Sequence, residues 1–349
     1  MKIVYFAHSV LNRGGDKMVL AHLGQLAASG HQVVIRSNLV RTIFPLHPAI
    51  ALEKPTLRSK LGTLLCALFE RQRCDLVIAS IVVTAVLLDF RNRGRVLHFA
   101  QDDNETAYRA PFMRGLMRFL YLQAFSVFSL PTIAVSSELA QTFREKYAAG
   151  CSVVGNGVDT AQFFPAPSAA LVAGKNGRKA VLLLSRRDER KGFDLARQVL
   201  AQLEEAGVPV EVWTVGEKAA RQGALPHRDF GSVSPERLRA IMSSADLFLY
   251  PSRSEGFGLM VLEAFACRCP VVTTEAIGFA RDGDNALVGP IGDVAALAGQ
   301  VARLLEDEEL AARLADAGEQ FAQQHRLDRS SALFEAELMR LCQRVTTPG

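Results

Sequence analysis

The feature that most constrains the fold is an alternation of short apolar runs with longer segments of helical apolar spacing. In the first half of the chain the runs lie at residues 2–7, 31–37, 75–79, 96–100 and 132–135. In the second half they lie at residues 180–184, 210–215, 246–250 and 271–273. Runs of this length predict buried strands. Because parallel strands are joined by crossover helices that cover the sheet faces, the alternation predicts an α/β protein with parallel sheets.

The alternation stops and starts again in the middle of the chain, which predicts two domains. Residues 165–177 are rich in Pro, Ala and Gly, a composition typical of linkers. A chain of 349 residues exceeds one ordinary domain, and an apolar content of 49% is enough for two cores. We predict a first Rossmann-like domain over residues 1–165, a second over residues 178–327, and a last helix over residues 328–345.

Composition excludes several other classes of protein. No apolar run approaches the ~18 residues that a membrane span needs, and the first ten residues predict a strand rather than a signal peptide. The six cysteines form no Cys-x-x-Cys pair and are accompanied by no histidine cluster. We therefore expect reduced cysteines, a cytoplasmic location and no zinc site.

Charge is distributed unevenly between the two halves. Residues 1–165 contain 18 Lys/Arg and 11 Asp/Glu, a net charge of +7, and the remainder contains 22 and 25, a net charge of −3. A basic half predicts an anionic partner, such as a membrane surface, a lipid phosphate or a nucleic acid, and a merely well-solvated surface is the alternative. Of these partners, we predict peripheral contact with a membrane and no nucleic acid.

The segment 108–128 adds aromatic residues to this basic character. Arg114 and Arg118 are four residues apart and share one face of a predicted helix. Such a helix can lie on an anionic membrane surface, or it can be a core helix whose arginines point to water. The same segment contains Arg109, and basic residues that flank another apolar stretch would extend the same face: Arg58, Lys60, Arg71 and Arg73.

The stretch 251–274 predicts a loop, a helix and a strand, with two carboxylates around the turn. Glu255 lies in the loop and Glu263 on the helix, with seven residues between them. Gly256 and Gly258 lie where the helix starts, so an anion can approach unpaired backbone N–H groups at the positive end of the helix dipole. Carboxylates at such a place are useful as acceptors for hydroxyl groups. A phosphate beside neutral polyols indicates a sugar nucleotide.

A second charged loop follows the first strand of the second domain. Arg186 and Lys191 are the residues there that could hold a diphosphate. A helix end contributes roughly 0.3–1 kcal/mol to an anion at an exposed site, which is too little for a dianion alone. Charge-assisted bonds from Arg and Lys are about twice as strong as neutral ones. A solvated surface loop is the alternative.

Two loops of the first domain also follow buried strands. Gly14 and Gly15 lie between the first strand and a helix, where backbone N–H groups could face a phosphate, although a plain tight turn would look the same. The loop lacks Gly-x-Gly-x-x-Gly, so an oxidoreductase dinucleotide fold is not supported. Asp102 belongs to a polar cluster at the carboxyl end of another strand, where parallel sheets place ligands, and it could instead cap the following segment.

Together these motifs resemble those of a known enzyme family. Glu255-Gly-Phe-Gly-(four residues)-Glu263 resembles the E-x7-E signature of retaining GT-B glycosyltransferases, family GT4, and the match continues through Pro270-Val-Val272. The loop 185–192 resembles the family's G-R-x-x-x-x-K-G, with Ser185 in place of the glycine. Residues 153–165 resemble its P-N-G-V-D…F-x-P motif, with Gly155 in place of the proline.

The resemblance implies a GT-B architecture, in which two Rossmann-like domains face each other across a cleft and the last helix crosses back to the first domain. It assigns Glu255 to hydroxyls of the donor sugar and Glu263 to the ribose. Asp102, where many members have His-Asp, would contact an acceptor hydroxyl or act as a base, and His98 would lie inside its strand. The remaining residues would hold or face the donor diphosphate: Gly14, Gly15, Arg186, Lys191, Gly256, Phe257, Gly258, Leu259 and Met260.

The predicted function is therefore that of a retaining glycosyltransferase with no cofactor and no metal. It would move a hexose from a nucleoside diphosphate sugar to a hydroxyl of a glycan or glycolipid, in synthesis of lipopolysaccharide or another surface polysaccharide. Its place would be the cytoplasm or the inner face of the cell membrane. Two alternatives stay open, a sugar-nucleotide epimerase or hydrolase of the same fold and a non-catalytic protein that binds membrane or glycan. Nucleotide base, sugar, acceptor and linkage are not predicted.

Overall fold

The structure is a computed structural model, which describes residues 1–106, 108–219 and 223–346 and, near the C-terminus, side chains as far as residue 342. Contacts divide the chain into two compact units. The first runs from Met1 to Asn156 and also includes the chain from Asp328 onward, and the second runs from Gly157 to Leu327.

The first unit is built on a parallel sheet of seven strands in the order β3-β2-β1-β4-β5-β6-β7. The strands are β1 (Lys2–Val10), β2 (Gln32–Val40), β3 (Ala51–Glu53), β4 (Leu76–Ala79), β5 (Val96–Ala100), β6 (Thr132–Ala134) and β7 (Ser152–Val153). The helices are α1 (Gly14–Ala28), α2 (Lys60–Phe69), α3 (Val82–Asn92), α4 (Pro111–Leu122), which continues into a π-helical turn, and α5 (Ser137–Tyr147).

The second unit repeats the plan with six parallel strands in the order β10-β9-β8-β11-β12-β13. The strands are β8 (Lys179–Ser185), β9 (Val210–Gly216), β10 (His227–Asp229), β11 (Leu247–Tyr250), β12 (Val271–Thr274) and β13 (Leu287–Gly289). The helices are α6 (Ala169–Ala173), α7 (Phe193–Glu205), α8 (Pro235–Ser244), α9 (Leu259–Ala266), α10 (Val294–Glu306) and α11 (Glu308–Gln324), and α12 (Leu327–Thr346) ends the described chain.

Alternate side chains of the central strands pack into two cores, one on each face of the second sheet. Phe248 of β11 belongs to a cluster with Trp213 and Phe265. Leu249, the next residue, belongs to a second cluster with Val181 and Val272. Because both faces are covered, the strands are apolar at nearly every position, as parallel strands require. The predicted α/β class with two Rossmann-like domains is confirmed.

Helix α12 packs against α1 within the first unit. The His22 ring stacks on Phe334 at 4.6 Å between ring centroids, and its Nδ1 lies 2.9 Å from the Ser331 hydroxyl. Burial lowers the pKa of His22 to about 3, so the ring is neutral and packs as an apolar group. The Ser29 hydroxyl donates to Glu335 at 2.8 Å. The last helix is therefore part of the first unit's core.

Candidate functional site

The order in which the chain adds strands to the second sheet reverses between β8 and β11. The chain goes from β8 to β9 on one side, and β11 lies on the other side of β8. The carboxyl ends of such neighbouring strands are where open parallel sheets bind ligands, because their loops separate there. The loop after β8 carries Arg186 and Lys191, and the loop after β11 carries Glu255.

A glycine brings these two loops into direct backbone contact. Gly192 has a φ of +70°, and a Cβ added to it would lie 1.8 Å from the carbonyl oxygen of Pro251. The Arg253 N–H donates to the Arg190 carbonyl at 2.7 Å. Only glycine fits at position 192, because any side chain would collide with backbone that cannot move aside.

Replacing Gly192 by alanine is therefore expected to destabilise the protein. The unfavourable φ costs about 1–3 kcal/mol, and the collision with Pro251 adds overpacking of about 1–3 kcal/mol. Gly207→Ala is the matched control, because Gly207 has a φ of +71° and no atom within 4 Å of its added Cβ. Thermal unfolding of both variants measures the difference, and equal loss of stability would show that the loop contact is unimportant.

Side chains strengthen the contact between the two loops. The Arg253 guanidinium donates two bonds to the Asp194 carboxylate, at 2.7 and 2.6 Å, and a third to the Glu189 carbonyl at 2.7 Å. This bidentate arrangement, which holds the pKa of Asp194 below its ordinary value, fixes the direction as well as the distance of the pair. Nothing in the sequence motifs indicated the pairing of Arg253 with Asp194.

Glu255 lies at the centre of the site and is bonded on several sides. Its Oε1 accepts from the Tyr250 hydroxyl at 2.6 Å, from the Ser252 hydroxyl at 3.1 Å and from Lys191 Nζ at 2.8 Å. Its Oε2 accepts from Lys191 at 2.9 Å. The Glu255 side chain is only 7% exposed, so the cation of Lys191 compensates a carboxylate that is nearly removed from water. The two residues singled out from separate motifs are thus brought together.

Tyr250 is a site residue that the sequence analysis assigned only to a buried strand. Burial, and after it the negative charge of Glu255, raises the pKa of Tyr250 well above its ordinary value. The hydroxyl therefore stays protonated and can only donate to the carboxylate. Its place as the last residue of β11, at the carboxyl end of the sheet, was the available signal.

We expect Tyr250→Phe to act on the position of Glu255 rather than on the fold. The variant keeps the ring and removes one hydrogen bond to a charged group, an interaction of about 1.5–3 kcal/mol. Turnover should fall roughly 10- to 100-fold if the carboxylate must be held in place. Steady-state kinetics with a saturating donor measure this, and Tyr147→Phe, which loses a comparable bond to Glu105 in the first unit, is the control. Unchanged turnover in Tyr250→Phe would show that Tyr250 has no role in positioning Glu255.

The N-terminus of α9 lies directly after this cluster. Gly258 is its N-cap residue, with a φ of +98° and no side-chain cap. An added Cβ would lie 2.7 Å from Ile277 Cδ1. Phe257 packs against the ring of Phe279 at 5.1 Å between centroids, and Glu263 is buried one turn into the helix. The helix therefore presents backbone rather than a cap side chain at its start, which is what anion binding needs.

Arg186 extends from the end of β8 and is partly exposed. Its Nη1 lies 4.0 Å from the Glu217 carboxylate, which also accepts from Arg187 Nε at 3.4 Å. An exposed pair of this length contributes little to stability, so Arg186 can exchange partners easily. The positive charge of Arg186 acts on the Tyr250 hydroxyl and partly offsets the rise in the pKa of that hydroxyl. Glu217 was not singled out in the sequence because it follows β9 as an isolated acidic residue.

The first unit brings its own two candidate loops together. A Cβ added to Gly15 would lie 3.4 Å from Gln101 Cγ, so the glycine pair at the start of α1 meets the loop after β5. In that loop, Asp102 Oδ1 accepts from the Asp103 N–H at 2.9 Å. Gly14, Gly15 and Asp102 thus lie near one edge of the first sheet, at the carboxyl ends of β1 and β5.

The other acidic residues of that loop stabilise the fold. Asp103 accepts from Lys146 at 2.7 Å, and Glu105 accepts from the Tyr147 hydroxyl at 2.7 Å. Both carboxylates are buried and hold α5 against the loop. His98 lies inside β5, as predicted, and burial lowers its pKa to about 4. Of the three carboxylates in this loop, Asp102 is therefore the one that is not buried.

Comparison with known proteins gives a family match in the second unit. Residues 172–321 match the family model described as "Glycosyl transferases group 1". The matched range includes β8 with Arg186 and Lys191, and β11 and α9 with Glu255 and Glu263. The family model therefore covers both loops that form the Lys191–Glu255 contact.

Curated relatives extend the likeness. The chain is 30% identical over 229 residues to a phosphatidyl-myo-inositol mannosyltransferase of Mycobacterium leprae, covering 62% of this chain and 60% of that protein. It is 31% identical over 151 residues to the lipopolysaccharide core biosynthesis glycosyltransferase LpsE of Rhizobium meliloti, covering 40% and 43%. The chain thus spans about three fifths or less of the length of these two relatives.

A solved structure resembles the chain over nearly its whole length. HepE of Anabaena, crystallised with UDP and glucose, has a TM-score of 0.77 and 18% identity, and the match covers 97% of this chain and all of that one. At this identity the likeness establishes the fold alone. Taken with the two parallel α/β units, it shows the GT-B fold, and residues 172–321 are similar to the family "Glycosyl transferases group 1".

Proposed function

We propose that the protein is a retaining glycosyltransferase that moves a hexose from a nucleoside diphosphate sugar to a hydroxyl of a glycan or glycolipid. The observation that carries this proposal is the contact of Lys191 with Glu255 at the switch point of the second sheet, directly before the start of α9. A cation for phosphate, a carboxylate for hydroxyls and a bare helix start for an anion occur there within one pair of loops.

Lys191 and Arg186 would hold the donor diphosphate together with the backbone N–H groups of residues 257–260. The leaving nucleoside diphosphate gains negative charge as the glycosidic bond breaks, so stabilising that charge is the main electrostatic task. Lys191 has three N–H donors and can keep a bond to Glu255 while it donates to a phosphate oxygen. In this proposal Arg186 and Lys191 supply the positive charge, and no metal ion or other cofactor takes part.

Glu255 would accept hydroxyls of the donor sugar through one particular oxygen. Its Oε1 already accepts from Tyr250, Ser252 and Lys191, whereas Oε2 accepts from Lys191 among the described contacts. A carboxylate oxygen has about two lone-pair sites, so Oε2 has the capacity that a sugar hydroxyl requires. Glu263 would accept from the ribose.

The first unit would bind the acceptor in this proposal. Gly14 and Gly15 would face the diphosphate, and Asp102 would contact the acceptor hydroxyl or take its proton. No side chain is assigned as a covalent nucleophile, which agrees with a front-face attack in which the leaving diphosphate and the incoming hydroxyl stay on one side of the sugar. The retained anomeric configuration of the product tests this assignment and is read by NMR.

Lipid-linked glycans are the acceptor class that the relatives favour. Their names refer to phosphatidyl-myo-inositol and to the lipopolysaccharide core. We propose the same kind of setting for this chain, synthesis of a surface glycolipid at the inner face of the cell membrane, with peripheral contact through the basic first half.

A thermal-shift screen against UDP-, GDP-, ADP- and dTDP-sugars is the experiment that tests the proposed function. A ligand at 100 times its dissociation constant stabilises the fold by about 2.7 kcal/mol, so one donor series should give a clear shift. Transfer is then followed with that donor and lipid-linked acceptors, with and without EDTA. An altered or hydrolysed sugar in the absence of acceptor would favour an epimerase or hydrolase. No shift with any nucleotide would favour a non-catalytic binding protein.

A further inference from the structure

His8 lies near the carboxyl end of β1, next to α2. The Asn38 amide of β2 and the Thr63 hydroxyl of α2 both approach its Nδ1, at 3.4 and 2.9 Å. The chain leaves β1 two residues after His8, toward the loop that carries Gly14 and Gly15. His8 therefore belongs to the edge of the first sheet at which parallel strands bind ligands.

The Thr63 hydroxyl is surrounded by three partners, and its chemistry decides which of them donate. A hydroxyl has one hydrogen and two lone pairs. The hydrogen goes to the Ser59 carbonyl at 2.9 Å, and one lone pair accepts from the Asn38 amide. The other lone pair is left for His8 Nδ1, which then carries the hydrogen of the neutral ring. The reverse assignment, in which Thr63 donates to Nδ1, would give up the bond to Ser59.

This assignment leaves the second nitrogen of the His8 ring as an acceptor. In a neutral imidazole with its hydrogen on Nδ1, Nε2 has a lone pair and no hydrogen. Among the described residues, His8 Nε2 has no hydrogen-bond partner. Unlike both ring nitrogens of His98, it is not a buried atom. The half-buried ring thus has one nitrogen that holds it in place and another that a ligand can reach.

An acceptor nitrogen restricts the class of ligand. It cannot bind a phosphate oxygen, because neither atom supplies a hydrogen. A metal ion needs further ligands, and the part of the chain that the structure describes has no group of three or more His, Cys, Asp or Glu that could hold one. A hydroxyl group of a sugar or other polyol supplies the hydrogen that Nε2 lacks.

We propose that His8 recognises the acceptor by accepting a hydrogen bond from one of its hydroxyl groups at Nε2. The inference rests on the proposed function, which places the acceptor on the first unit. His8 would give the acceptor a second contact besides Asp102, which follows β5 at the same edge of the sheet. Because Thr63 and Asn38 already hold the ring, little side-chain freedom is lost when the hydroxyl binds.

The tautomer of His8 can be measured without any transfer assay. In protein with isotopically labelled histidine, long-range proton–nitrogen correlations at mildly alkaline pH show which ring nitrogen carries the hydrogen. The His8 signals are those that disappear in His8→Asn. We expect the hydrogen on Nδ1 of His8, and on Nε2 of His47, because His47 Nδ1 accepts from the Ala49 N–H at 3.3 Å. A hydrogen on Nε2 of His8 would overturn the proposal.

Two lipid-linked probes test whether Nε2 meets a hydroxyl group. They are phosphatidyl-myo-inositol and rough lipopolysaccharide, each in detergent micelles, because the names of two relatives refer to these classes. Among the helices of the described chain, none is both long and apolar enough to cross a bilayer. We expect one probe to shift the Nε2 resonance of His8 and to leave that of His47 unchanged. If neither probe shifts the His8 resonance, the proposal is wrong.

A pair of substitutions separates the two nitrogens of the ring. His8→Asn places an amide N–H near the position of Nδ1 and nothing near that of Nε2. This variant should fold and bind the nucleotide sugar normally, while KM for the acceptor rises roughly 3- to 10-fold at little-changed kcat, as expected for one neutral hydrogen bond. His8→Gln places its amide near the position of Nε2 and gives up the bond to Thr63. It should melt at a lower temperature yet keep most of the affinity for the acceptor.

His31→Asn is the matched control, because His31 lies just before β2, at the opposite edge of the same sheet. An unchanged KM for the acceptor in His8→Asn, or an equal rise in His31→Asn, would contradict the proposal. Loss of nucleotide-sugar binding in His8→Asn would assign the residue to the donor or to the fold, and would also overturn it. Failure of the proposed function is separate: no nucleotide sugar would then shift the melting temperature of the unmodified protein, and the His8 spectra would decide the hydroxyl contact alone.

Discussion

Lys191→Ala is expected to lower turnover by two to three orders of magnitude while the protein remains folded. Removing one preorganised donor from the charge that develops in a transition state costs about 10²–10³ in kcat, and Lys191 contacts Glu255 in the loop that leads into α9. Its loss would also leave a nearly buried carboxylate that keeps, among its described contacts, the hydroxyl donors Tyr250 and Ser252 but no cation. The rate of transfer with a saturating donor measures the effect.

Two further variants separate charge from folding. Lys179→Ala removes another lysine with an acidic partner, Glu308, but on the exposed amino end of β8, and should turn over normally. Lys191→Gln keeps a hydrogen-bond donor near Glu255 without the charge, and should fold like the unmodified protein yet remain slow. Normal turnover in Lys191→Ala with saturating donor would refute the role of Lys191 in holding phosphate.

Glu255→Ala is expected to abolish most transfer yet leave binding of the bare nucleoside diphosphate largely intact. The substitution removes the acceptor for the sugar hydroxyls, whereas Arg186, Lys191 and the start of α9 remain for the phosphates. Losing hydrogen bonds to a charged group costs about 1.5–3 kcal/mol each, so turnover should fall at least 10- to 100-fold. Calorimetry with the diphosphate and with the intact sugar nucleotide separates the two contributions.

The companion variant is Glu263→Gln, on the next turn of α9. If Glu263 accepts a hydrogen bond from the ribose, Glu263→Gln should weaken binding of the bare nucleoside diphosphate and binding of the intact sugar nucleotide by a similar factor. Loss of diphosphate binding in Glu255→Ala, with Glu263→Gln unaffected, would mean that the roles of the two glutamates are exchanged.

The central strands of both sheets could be predicted from the sequence because burial on two faces makes them apolar throughout. β5 has the predicted bounds, β8 is one residue longer than predicted at each end, and β11 begins one residue later than predicted. β3 and β10 were not predicted, since each has three residues and neither is buried. A strand at the edge of a sheet needs no apolar face, so periodicity does not reveal it.

The candidate site could be predicted only where a motif contains the residue. Glu255 and Lys191 were singled out separately, and the structure joins them at 2.8 Å. Tyr250 was missed because an aromatic residue at the end of an apolar run indicates core packing, and its bond to Glu255 depends on how the chain turns at Pro251. Arg253 was missed for a related reason, since its partner Asp194 lies in the next helix of a distant segment.

The backbone contact of Gly192 with Pro251 has a consequence for how these two loops can be altered by mutation. Because main chain rests on main chain there, no rotamer change can absorb an insertion or deletion in either loop. Exchange of individual side chains between residues 186 and 191 leaves the contact unchanged. The fold of these loops should therefore tolerate changes of residue type at positions 187–190 far better than changes in loop length.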